Sequence, residues 1–233
     1  MQMPAPNPVT LAKKAQLTER LTAALGKDGV IAEDIALKAY ECDALTAYRC
    51  PPMLALLPRT TAEVAAALKI CHEMNVPVVP RGSGTSLAGG AMPTADSVIL
   101  GVSRMNAVLE TDFASRVIRV QTGRTNLSVT GAVEGEGFFY APDPSSQLAC
   151  AIAGNIAMNS GGAHCLKYGV TTNNLMGVTM VMMDGEIVEI GGAHLDAGGL
   201  DLLGLICGSE GQLALSRKPR CAFCTSPRAR GLC

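Results

Sequence analysis

The residues best suited to chemistry lie in segment 80–90, which has the sequence PRGSGTSLAGG. Four glycines and three hydroxyl side chains occupy this short stretch, and Arg81 adds a permanent positive charge. Glycine tolerates the left-handed backbone conformations that let successive main-chain N–H groups converge on one anion. The segment therefore predicts a loop that binds a phosphate or a diphosphate.

Two common phosphate-binding motifs do not fit this loop. The dinucleotide fingerprint Gly-x-Gly-x-x-Gly is met by Gly82 and Gly84, but Leu87 stands where its third glycine belongs. The P-loop ends in Gly-Lys-Ser/Thr, and no lysine follows Gly89 or Gly90. A plain glycine-rich surface turn is the alternative, although the hydroxyl groups and the strand expected before the loop favour an anion site.

A second cluster of small and polar residues supports the same kind of ligand. Segment 154–162, with the sequence GNIAMNSGG, again combines glycine, asparagine and serine. It follows the rigid turn 142–146, PDPSS, and it precedes Tyr168 and Gly169. A long ligand that joins a diphosphate to two ring systems would need several such loops at once.

The elements that must position the first loop are a strand, a helix and a second strand. The apolar run 53–57 predicts a short buried strand. Thr60 and Glu63 are spaced as a capping box, which predicts a helix that ends near Asn75. The core stripe of this helix is Val64, Ala67, Leu68 and Cys71. A strand over 76–79 then enters the glycine loop, so the loop lies at a carboxyl strand end, where ligands bind in such sheets.

The rest of the chain mixes further strands with helices. Apolar spacing predicts an amphipathic helix over 10–25, and a second helix is expected over 125–134. Asp184-Gly185 is typical of a two-residue hairpin turn. Strands are expected at 97–102, 108–110, 117–121, 178–183 and 186–190. The mixture predicts an α+β domain with two sheets.

Composition argues against several classes of function. The 233-residue chain is 48% hydrophobic, with a net charge of −1, so we expect a folded domain and no nucleic-acid-binding surface. No apolar signal core or membrane-length run is seen, which favours a cytoplasmic location. Nine cysteines without a secretion signal are expected to be reduced thiols. Outside the last twenty residues they lack metal-ligand spacing, and no metal site is expected.

Taken together, these segments resemble the FAD-binding domain of the vanillyl-alcohol-oxidase type, also called PCMH-type. The resemblance rests on PRGSGTSLAGG at 80–90, APDPSS at 141–146, AGNIAMNSGG at 153–162, HCLKYG at 164–169 and CGSEG at 207–211. Within this type the chain is most similar to the FAD-linked 2-hydroxy-acid dehydrogenase family, which includes glycolate oxidase D subunits and D-lactate dehydrogenases. The resemblance implies a two-lobed domain that lacks the C-terminal substrate (cap) domain of the family.

The resemblance also implies a site for FAD between the two lobes. Donors at 82–86 would wrap the diphosphate, with Arg81 either a charge partner or a brace of the loop. Neither glycine-rich loop contains a histidine, so the flavin is expected to be bound non-covalently. The residues assigned to the cofactor are Arg81, Gly82, Ser83, Gly84, Thr85, Ser86, Pro142, Asp143, Ser145, Gly154, Asn155, Ser160, Gly161, Tyr168, Gly169, Glu210 and Gly211.

The implied reaction is oxidation of glycolate or a similar 2-hydroxy acid, with hydride passing to flavin N5. The family base is a histidine of the substrate domain, and the candidate within a recognised motif of this chain is His164, for which no orienting partner is evident. We therefore expect weak or no FAD binding and no turnover by this polypeptide alone. A non-catalytic FAD-binding or assembly fragment and a non-functional truncated remnant are the alternatives.

Partners are implied by the resemblance alone. Relatives of this kind act with a second FAD-domain subunit and an iron–sulfur subunit. Such subunits would place the chain at the periphery of the inner membrane.

The extent of the resemblance divides the chain into an N-terminal helical segment (1–49), the FAD-binding domain (50–213) and an atypical tail (214–233). The tail holds five of the 19 basic residues, three of the nine cysteines and no acidic residue. Family members continue CGSEG with a strand, so we hypothesise that the tail comes from a shifted reading frame. We expect the missing strand to leave a sheet edge open. The alternative is a zinc or redox role for Cys221 and Cys224.

Overall fold

The computed structural model describes residues 3–192 and 199–213, together with 215–216, 220–222 and 224–225. The helices of this part are α1 (Pro8–Leu11), α2 (Lys14–Leu25), α3 (Asp34–Leu37), α4 (Thr61–Glu73), α5 (Asn126–Gly131), α6 (Ile152–Met158), α7 (Cys165–Tyr168) and α8 (Leu202–Ile206). Its strands are β1 (Val30–Ile31), β2 (Leu54–Leu56), β3 (Val78–Arg81), β4 (Val98–Gly101), β5 (Val108–Asp112), β6 (Val117–Val120), β7 (Phe138–Phe139), β8 (Leu175–Val181), β9 (Ile187–Gly191), β10 (Leu215–Ser216), β11 (Arg220–Ala222) and β12 (Cys224–Thr225). The α+β class with two principal sheets is confirmed.

The first lobe is built on a four-stranded sheet in the order β1-β2-β4-β3. Strands β2, β4 and β3 run parallel, and β1 pairs antiparallel with β2. Helix α4 connects β2 to β3, and its stripe of Val64, Ala67, Leu68 and Cys71 is buried as predicted. The Thr60 hydroxyl accepts the N–H of Glu63 at 3.1 Å and begins this helix. The lobe thus delivers β3 directly into the glycine loop.

The N-terminal segment is built into this first lobe. Leu17 and Leu21 on α2 are fully buried in its core, and β1 extends its sheet. The single helix predicted over 10–25 is instead two helices, because Asn7 caps a separate first turn whose Leu11 is partly exposed. The segment 1–49 therefore supplies core residues as well as helices.

The second lobe is a mostly antiparallel sheet with β5, β6, β11, β8 and β9 side by side. Its separate core is formed by buried residues of β6, α5, α6, β8 and α8. The hairpins predicted around 108–121 and 178–190 are both confirmed. The second turn has three residues rather than two, since Met182 N–H donates to the Glu186 carbonyl and Gly185 takes a left-handed conformation.

Two element boundaries differ from the sequence predictions for identifiable reasons. The strand expected over 76–79 begins later, at Val78, because Val76 N–H bonds the Cys71 carbonyl at 2.9 Å at the end of α4. It continues to Arg81, because β4 offers a parallel partner as far as Gly101. The helix expected over 125–134 stops at Gly131 and is followed by a single 3₁₀ turn, Glu134–Glu136.

The expectation of an open sheet edge after Leu213 is wrong for the described tail residues. Strand β10 pairs antiparallel with β8, and β11 lies between β6 and β8. Strand β12 pairs with β7. Positions 214, 217–219, 223 and 226–233 of the tail lie outside the described residues, and the reading-frame hypothesis for 214–233 stays a prediction.

Candidate cofactor site

A cleft of about 350 Å³ opens where the carboxyl end of β3 meets α6, and we call it the glycine cleft. The first lobe contributes the loop after β3, and the second lobe contributes α6 and the segment 206–211. Twelve of the residues assigned from sequence line it: Arg81, Gly82, Ser83, Gly84, Thr85, Ser86, Ser145, Gly154, Asn155, Ser160, Glu210 and Gly211. The two segments singled out by composition thus form opposite walls of one cleft.

The first wall is a run of main-chain donors without protein acceptors. The parallel ladder ends where Val102 N–H bonds the Arg81 carbonyl at 3.1 Å. Beyond that point, within the part of the chain that the structure describes, none of the N–H groups of residues 82–87 donates to a protein acceptor. Unpaired amides beside a cavity are ready to bind an anion or water. Convergence of these N–H groups on an anion stays a prediction.

Arg81 holds this loop in place. Its guanidinium donates to the carbonyls of Cys42 at 2.8 Å and Ala91 at 3.2 Å, and it lies 5.8 Å from the centre of the Tyr40 ring. A Cβ atom at Gly84, which has a φ of 71°, would collide with the same guanidinium. Of the two roles left open by the sequence, these contacts are those of a brace.

The second wall contributes open space and one side-chain amide rather than a run of main-chain donors. A Cβ atom built on Gly154 in α6 meets nothing within 4 Å, so this face of the helix is open to the cleft. The neighbouring Asn155 is 1% exposed, and its Nδ2 is buried without a hydrogen-bond partner among the described residues. A buried amide without a partner is costly, so it marks a place where a ligand acceptor would be favourable.

The floor of the cleft is a tight turn after α8. Gly208, Glu210 and Gly211 all have positive φ, and Glu210 is the one among them that has a side chain. The turn is tied to α6 because the N–H groups of Gly208 and Glu210 donate to the carbonyls of Ile156 and Ala157, each at 2.8 Å. Non-glycine residues in this conformation are uncommon, and they cluster at binding sites.

The cleft carries little charge of its own. Arg81 and Glu210 are the lining residues with charged side chains, and Arg81 is already engaged by two carbonyls. An adjacent, largely apolar cleft of about 440 Å³ shares four of its lining residues, Pro80, Gly90, Glu210 and Gly211. The arrangement therefore suits an elongated ligand with one anionic centre, held by neutral donors and flanked by apolar surface.

Six residues assigned from sequence do not line the glycine cleft: Pro142, Asp143, Gly161, His164, Tyr168 and Gly169. Asp143 and His164 instead form a pair, with Nδ1 of His164 3.1 Å from Oδ2 of Asp143 and its main-chain N–H donating to Oδ1 at 3.0 Å. The ring of His164 meets Phe139 and Tyr168 edge-on. His164 therefore has the orienting carboxylate that sequence inspection did not find, because the two residues are 21 positions apart.

Sequence analysis missed the apolar part of the lining. Pro80, Leu87, Cys150, Ala151 and Ile206 belong to the cleft but carry no group that suggests binding. The available signal was their position, since each lies within a few residues of a predicted site residue. Among the described residues, no group of three or more His, Cys, Asp or Glu side chains is placed to hold a metal ion. The eight cysteines whose state the structure gives are free thiols.

None of the helices that the structure describes combines the length and the apolar character needed to cross a bilayer.

Comparisons with known proteins agree with this geometry. The family model "FAD binding domain" matches residues 52–191. The chain is 46% identical over 187 residues to the glycolate oxidase subunit GlcD of Escherichia coli K12, covering 80% of this chain and 38% of that protein. It is 34% identical over 188 residues to the D-lactate dehydrogenase of Anaerostipes hadrus, covering 80% and 39%. The chain thus spans well under half the length of these relatives.

A solved structure shows the same fold. Alkyldihydroxyacetonephosphate synthase superposes with a TM-score of 0.82 at 22% sequence identity, covering 98% of this chain and 42% of that one. At this level of identity the likeness concerns the fold alone. It extends over almost the whole chain, so the two-lobed architecture is shared.

Proposed function

Because the chain belongs to the FAD-binding domain family, we propose that it is the cofactor-holding part of an FAD-linked oxidoreductase that oxidises glycolate or a similar 2-hydroxy acid. The family and its cofactor rest on the match over residues 52–191. The substrate class rests on the names of relatives that are more than twice as long as the matched region.

One observation carries the assignment of the glycine cleft to FAD. Residues 82–87 all line the glycine cleft, and their main-chain N–H groups have no protein acceptors among the described residues. A diphosphate presents acceptor oxygens to such a wall without needing a lysine or a free arginine. The unpartnered amide of Asn155 and the open space beside Gly154 then suit the polar and planar parts of the same ligand. The residues present therefore fit FAD.

The residues of the chain would bind and orient the cofactor. Main-chain amides of 82–87 hold the diphosphate, Arg81 keeps their loop in position, and α6 provides a flat open face for a ring. When bound, the flavin supplies the hydride acceptor for oxidation of a hydroxyl-bearing carbon. His164, oriented by Asp143 but half exposed outside the cleft, is available to hold a proton at Nε2.

We propose that the substrate site and the catalytic base lie in a region that corresponds to the part of the longer relatives that this chain does not cover. The name of the E. coli relative describes a subunit, which supports an assembly of several chains. We propose a second FAD-domain subunit and an iron–sulfur subunit as partners in the cytoplasm, at the inner face of the membrane. The chain by itself is expected to bind FAD without oxidising substrate.

The test is a titration of the purified chain with FAD, followed by flavin fluorescence, with FMN and ADP as comparison ligands. We expect saturable binding of FAD, because the cleft takes a diphosphate and two ring systems. Addition of glycolate or D-lactate to the complex should leave the flavin absorbance unchanged. Bleaching of the flavin by either acid would show that this chain is a complete enzyme. Absence of saturable FAD binding would contradict the proposal.

A matched pair of variants separates the cleft from general stability. Gly154→Leu places a side chain into the open space of the glycine cleft, whereas Gly131→Leu makes the same change at the end of α5, where a Cβ also meets nothing within 4 Å. We expect Gly154→Leu to weaken FAD binding by about 100-fold or more, or about 2.7 kcal/mol, and Gly131→Leu to leave it unchanged. Equal affinities of the two variants for FAD would show that FAD does not bind in the glycine cleft.

A further inference from the structure

An oriented histidine stands beside the glycine cleft, outside its lining. Asp143 accepts twice from His164, because the main-chain N–H donates to Oδ1 at 3.0 Å and the ring Nδ1 lies 3.1 Å from Oδ2. Gly162 makes room for this contact, since a Cβ atom there would collide with the carbonyl and the side chain of Asp143. The preceding residue is anchored as well, because the Pro142 carbonyl accepts the buried amide of Asn126 at 3.0 Å. The pair is therefore built into the fold.

The carboxylate decides which ring nitrogen of His164 is free. A carboxylate accepts hydrogen bonds, so the ring proton lies on Nδ1 and the neutral ring presents Nε2 as an acceptor. The rings of Phe139 and Tyr168 meet the imidazole edge-on, with centroids 5.9 Å and 6.4 Å away, and they fix its plane. Among the described residues no protein group is hydrogen-bonded to Nε2, and the side chain is 52% exposed. The structure thus presents a fixed acceptor to a ligand that donates a hydrogen bond.

Both chain segments that form the pair also line the glycine cleft. Asp143 is two residues before Ser145, and Gly162 is two residues after Ser160, and both serines belong to the cleft. Two residues span at most about 7 Å, so the pair is held close to the cleft wall. A small molecule bound at His164 would therefore be a neighbour of a ligand in the cleft.

A cationic side chain lies on the same turn. Lys167 and Tyr168 follow His164 by three and four positions through α7, which places the three side chains on one side of the turn. The Lys167 ammonium lies 5.0 Å from the centre of the Tyr168 ring, and no acidic side chain in the described part of the chain forms an ion pair with it. A hydrogen-bond acceptor and an unpaired ammonium are therefore presented together. The matching ligand has a hydroxyl donor beside a carboxylate.

We propose that Nε2 of His164 and Nζ of Lys167 bind the hydroxyl and the carboxylate of a small 2-hydroxy acid, and that Asp143 is the positioning residue of this subsite. The choice of ligand rests on the proposed function. The subsite supplies one side of the substrate site, and the groups proposed for the part of the relatives that this chain does not cover, including the base, supply the other. Neither contact needs FAD to be bound, so the subsite is measurable on the chain alone.

The test is a titration of the intact chain with sodium glycolate, followed by heteronuclear NMR of the histidine rings. The His164→Gln variant assigns the signal, and His72, exposed on α4, is the internal reference. We expect a saturable shift at His164 alone, with a Kd of about 10 mM, because both contacts are exposed to solvent. Acetate and methoxyacetate lack the hydroxyl donor and should bind about fivefold more weakly. Equal responses to glycolate and methoxyacetate, or no response to either, would overturn the proposal.

Matched variants separate the roles of the three residues. Asp143→Asn turns an amide N–H towards Nδ1, so we expect the ring proton of His164 to move to Nε2 and the glycolate response to be lost. The nitrogen chemical shifts of the ring report this change of tautomer directly. Lys167→Met should weaken glycolate binding by about fivefold and leave the tautomer unchanged, and Lys69→Met, at an exposed position of α4, should change neither. An unchanged tautomer and affinity in Asp143→Asn would overturn the positioning role.

The FAD titration described above gives a separate answer. Loss of FAD binding together with an intact glycolate response at His164 would contradict the proposed function and support the subsite. Saturable FAD binding without any glycolate response at His164 would overturn the subsite and leave the proposed function standing.

Discussion

The two walls of the glycine cleft offer a ligand different kinds of surface. The loop after β3 offers main-chain donors at 82–87 and is held from behind by the Arg81 guanidinium. The α6 wall offers empty space at Gly154 and one buried amide, at Asn155, without a protein partner. The first wall is therefore sensitive to backbone conformation, and the second is sensitive to side-chain volume and polarity.

The difference follows from the element that each wall continues. A parallel strand ends with its ladder, so the chain beyond Arg81 has N–H groups to spare. Gly154 lies in the first turn of α6, where the N–H groups of Ile152 and Ala153 already donate to the carbonyls of Arg124 and Thr122, so this wall differs from the loop mainly through its side chains and their absence. Glycine serves both walls, as a source of positive φ at Gly84 and as a gap at Gly154.

The largest expected effect in the loop wall comes from Gly84→Ala. Alanine at positive φ costs about 1–2 kcal/mol, and here its Cβ would also meet the Arg81 guanidinium. We expect FAD binding to weaken by about tenfold or more, because the donors of the loop would be displaced. Fluorescence titration measures the affinity, and urea unfolding measures the stability.

Gly26→Ala is the matched control for that change. Gly26 also has positive φ, at 76°, but a Cβ there meets nothing within 4 Å. Because Gly26 has a ψ of 163°, in a region almost exclusive to glycine, the control should lose about 1–3 kcal/mol of unfolding free energy and keep its affinity for FAD. If both variants bound FAD like the unmodified chain, the geometry of the loop wall would not matter for the cofactor.

Substitution of Arg81 distinguishes a brace from a charge partner. Arg81→Lys keeps the charge but loses the planar guanidinium whose Nη1 reaches both carbonyls, and Arg81→Met loses the charge as well. A brace predicts that the two variants weaken FAD binding alike, by several-fold, and lose about 1–2 kcal/mol of stability. Retention of full affinity by the lysine variant alone would instead identify a charge partner. Arg104→Met, which removes one exposed hydrogen bond to Asp28, is the control and should stay within about 0.5 kcal/mol.

In the helix wall, Asn155→Leu should change stability and binding in opposite directions. Removal of a buried amide that lacks a partner is expected to raise the unfolding free energy of the free chain by up to about 1 kcal/mol. The same change should weaken FAD binding by about fivefold, because the ligand loses a donor. Asn126→Leu is the control, since its equally buried Nδ2 donates to the Pro142 carbonyl at 3.0 Å and its loss should destabilise the chain. Destabilisation by both substitutions would indicate that the side-chain amide of Asn155 has a hydrogen-bond partner in solution.

The smallest expected effect is that of salt. Both walls bind through neutral groups, and Arg81 is engaged by carbonyls rather than free in the cleft. FAD affinity should therefore change by less than about threefold between about 0.05 M and about 0.5 M sodium chloride. A steep loss with salt would mean that cationic side chains, and not the loop amides, dominate binding.

Local pattern predicted much of the first lobe. The stripe Val64, Ala67, Leu68 and Cys71 repeats at helical spacing, and all four residues are buried on α4. In the second lobe, the two hairpins could be predicted because alternating apolar residues flank a turn. Boundaries shifted where a main-chain group had a competing partner, as at Val76, and such competition cannot be inferred from residue types.

Some features of the candidate site could likewise be predicted from local sequence, and others depended on tertiary contacts. Nine of the twelve assigned residues that line the glycine cleft lie in two segments, 80–90 and 154–162, that each have a recognisable composition, and Ser145, Glu210 and Gly211 come from elsewhere. The pairing of Asp143 with His164, and the exclusion of both from the cleft, depended on how two loops fold back toward Phe139. The tail gave the least signal, because Cys221 is one small residue within a basic segment.

The sequence by itself determined where the glycine-rich loop lies, which residues form the first core and that two sheets are present. These features depend on neighbours within a few positions, where residue type and spacing act directly on conformation. Only the tertiary structure decided that the Arg81 guanidinium donates to the Cys42 and Ala91 carbonyls, that Asn155 Nδ2 is buried without a partner among the described residues and that β11 fills the gap between β6 and β8. Those outcomes depend on contacts between distant parts of the chain, which are set by the packing of the two lobes as a whole.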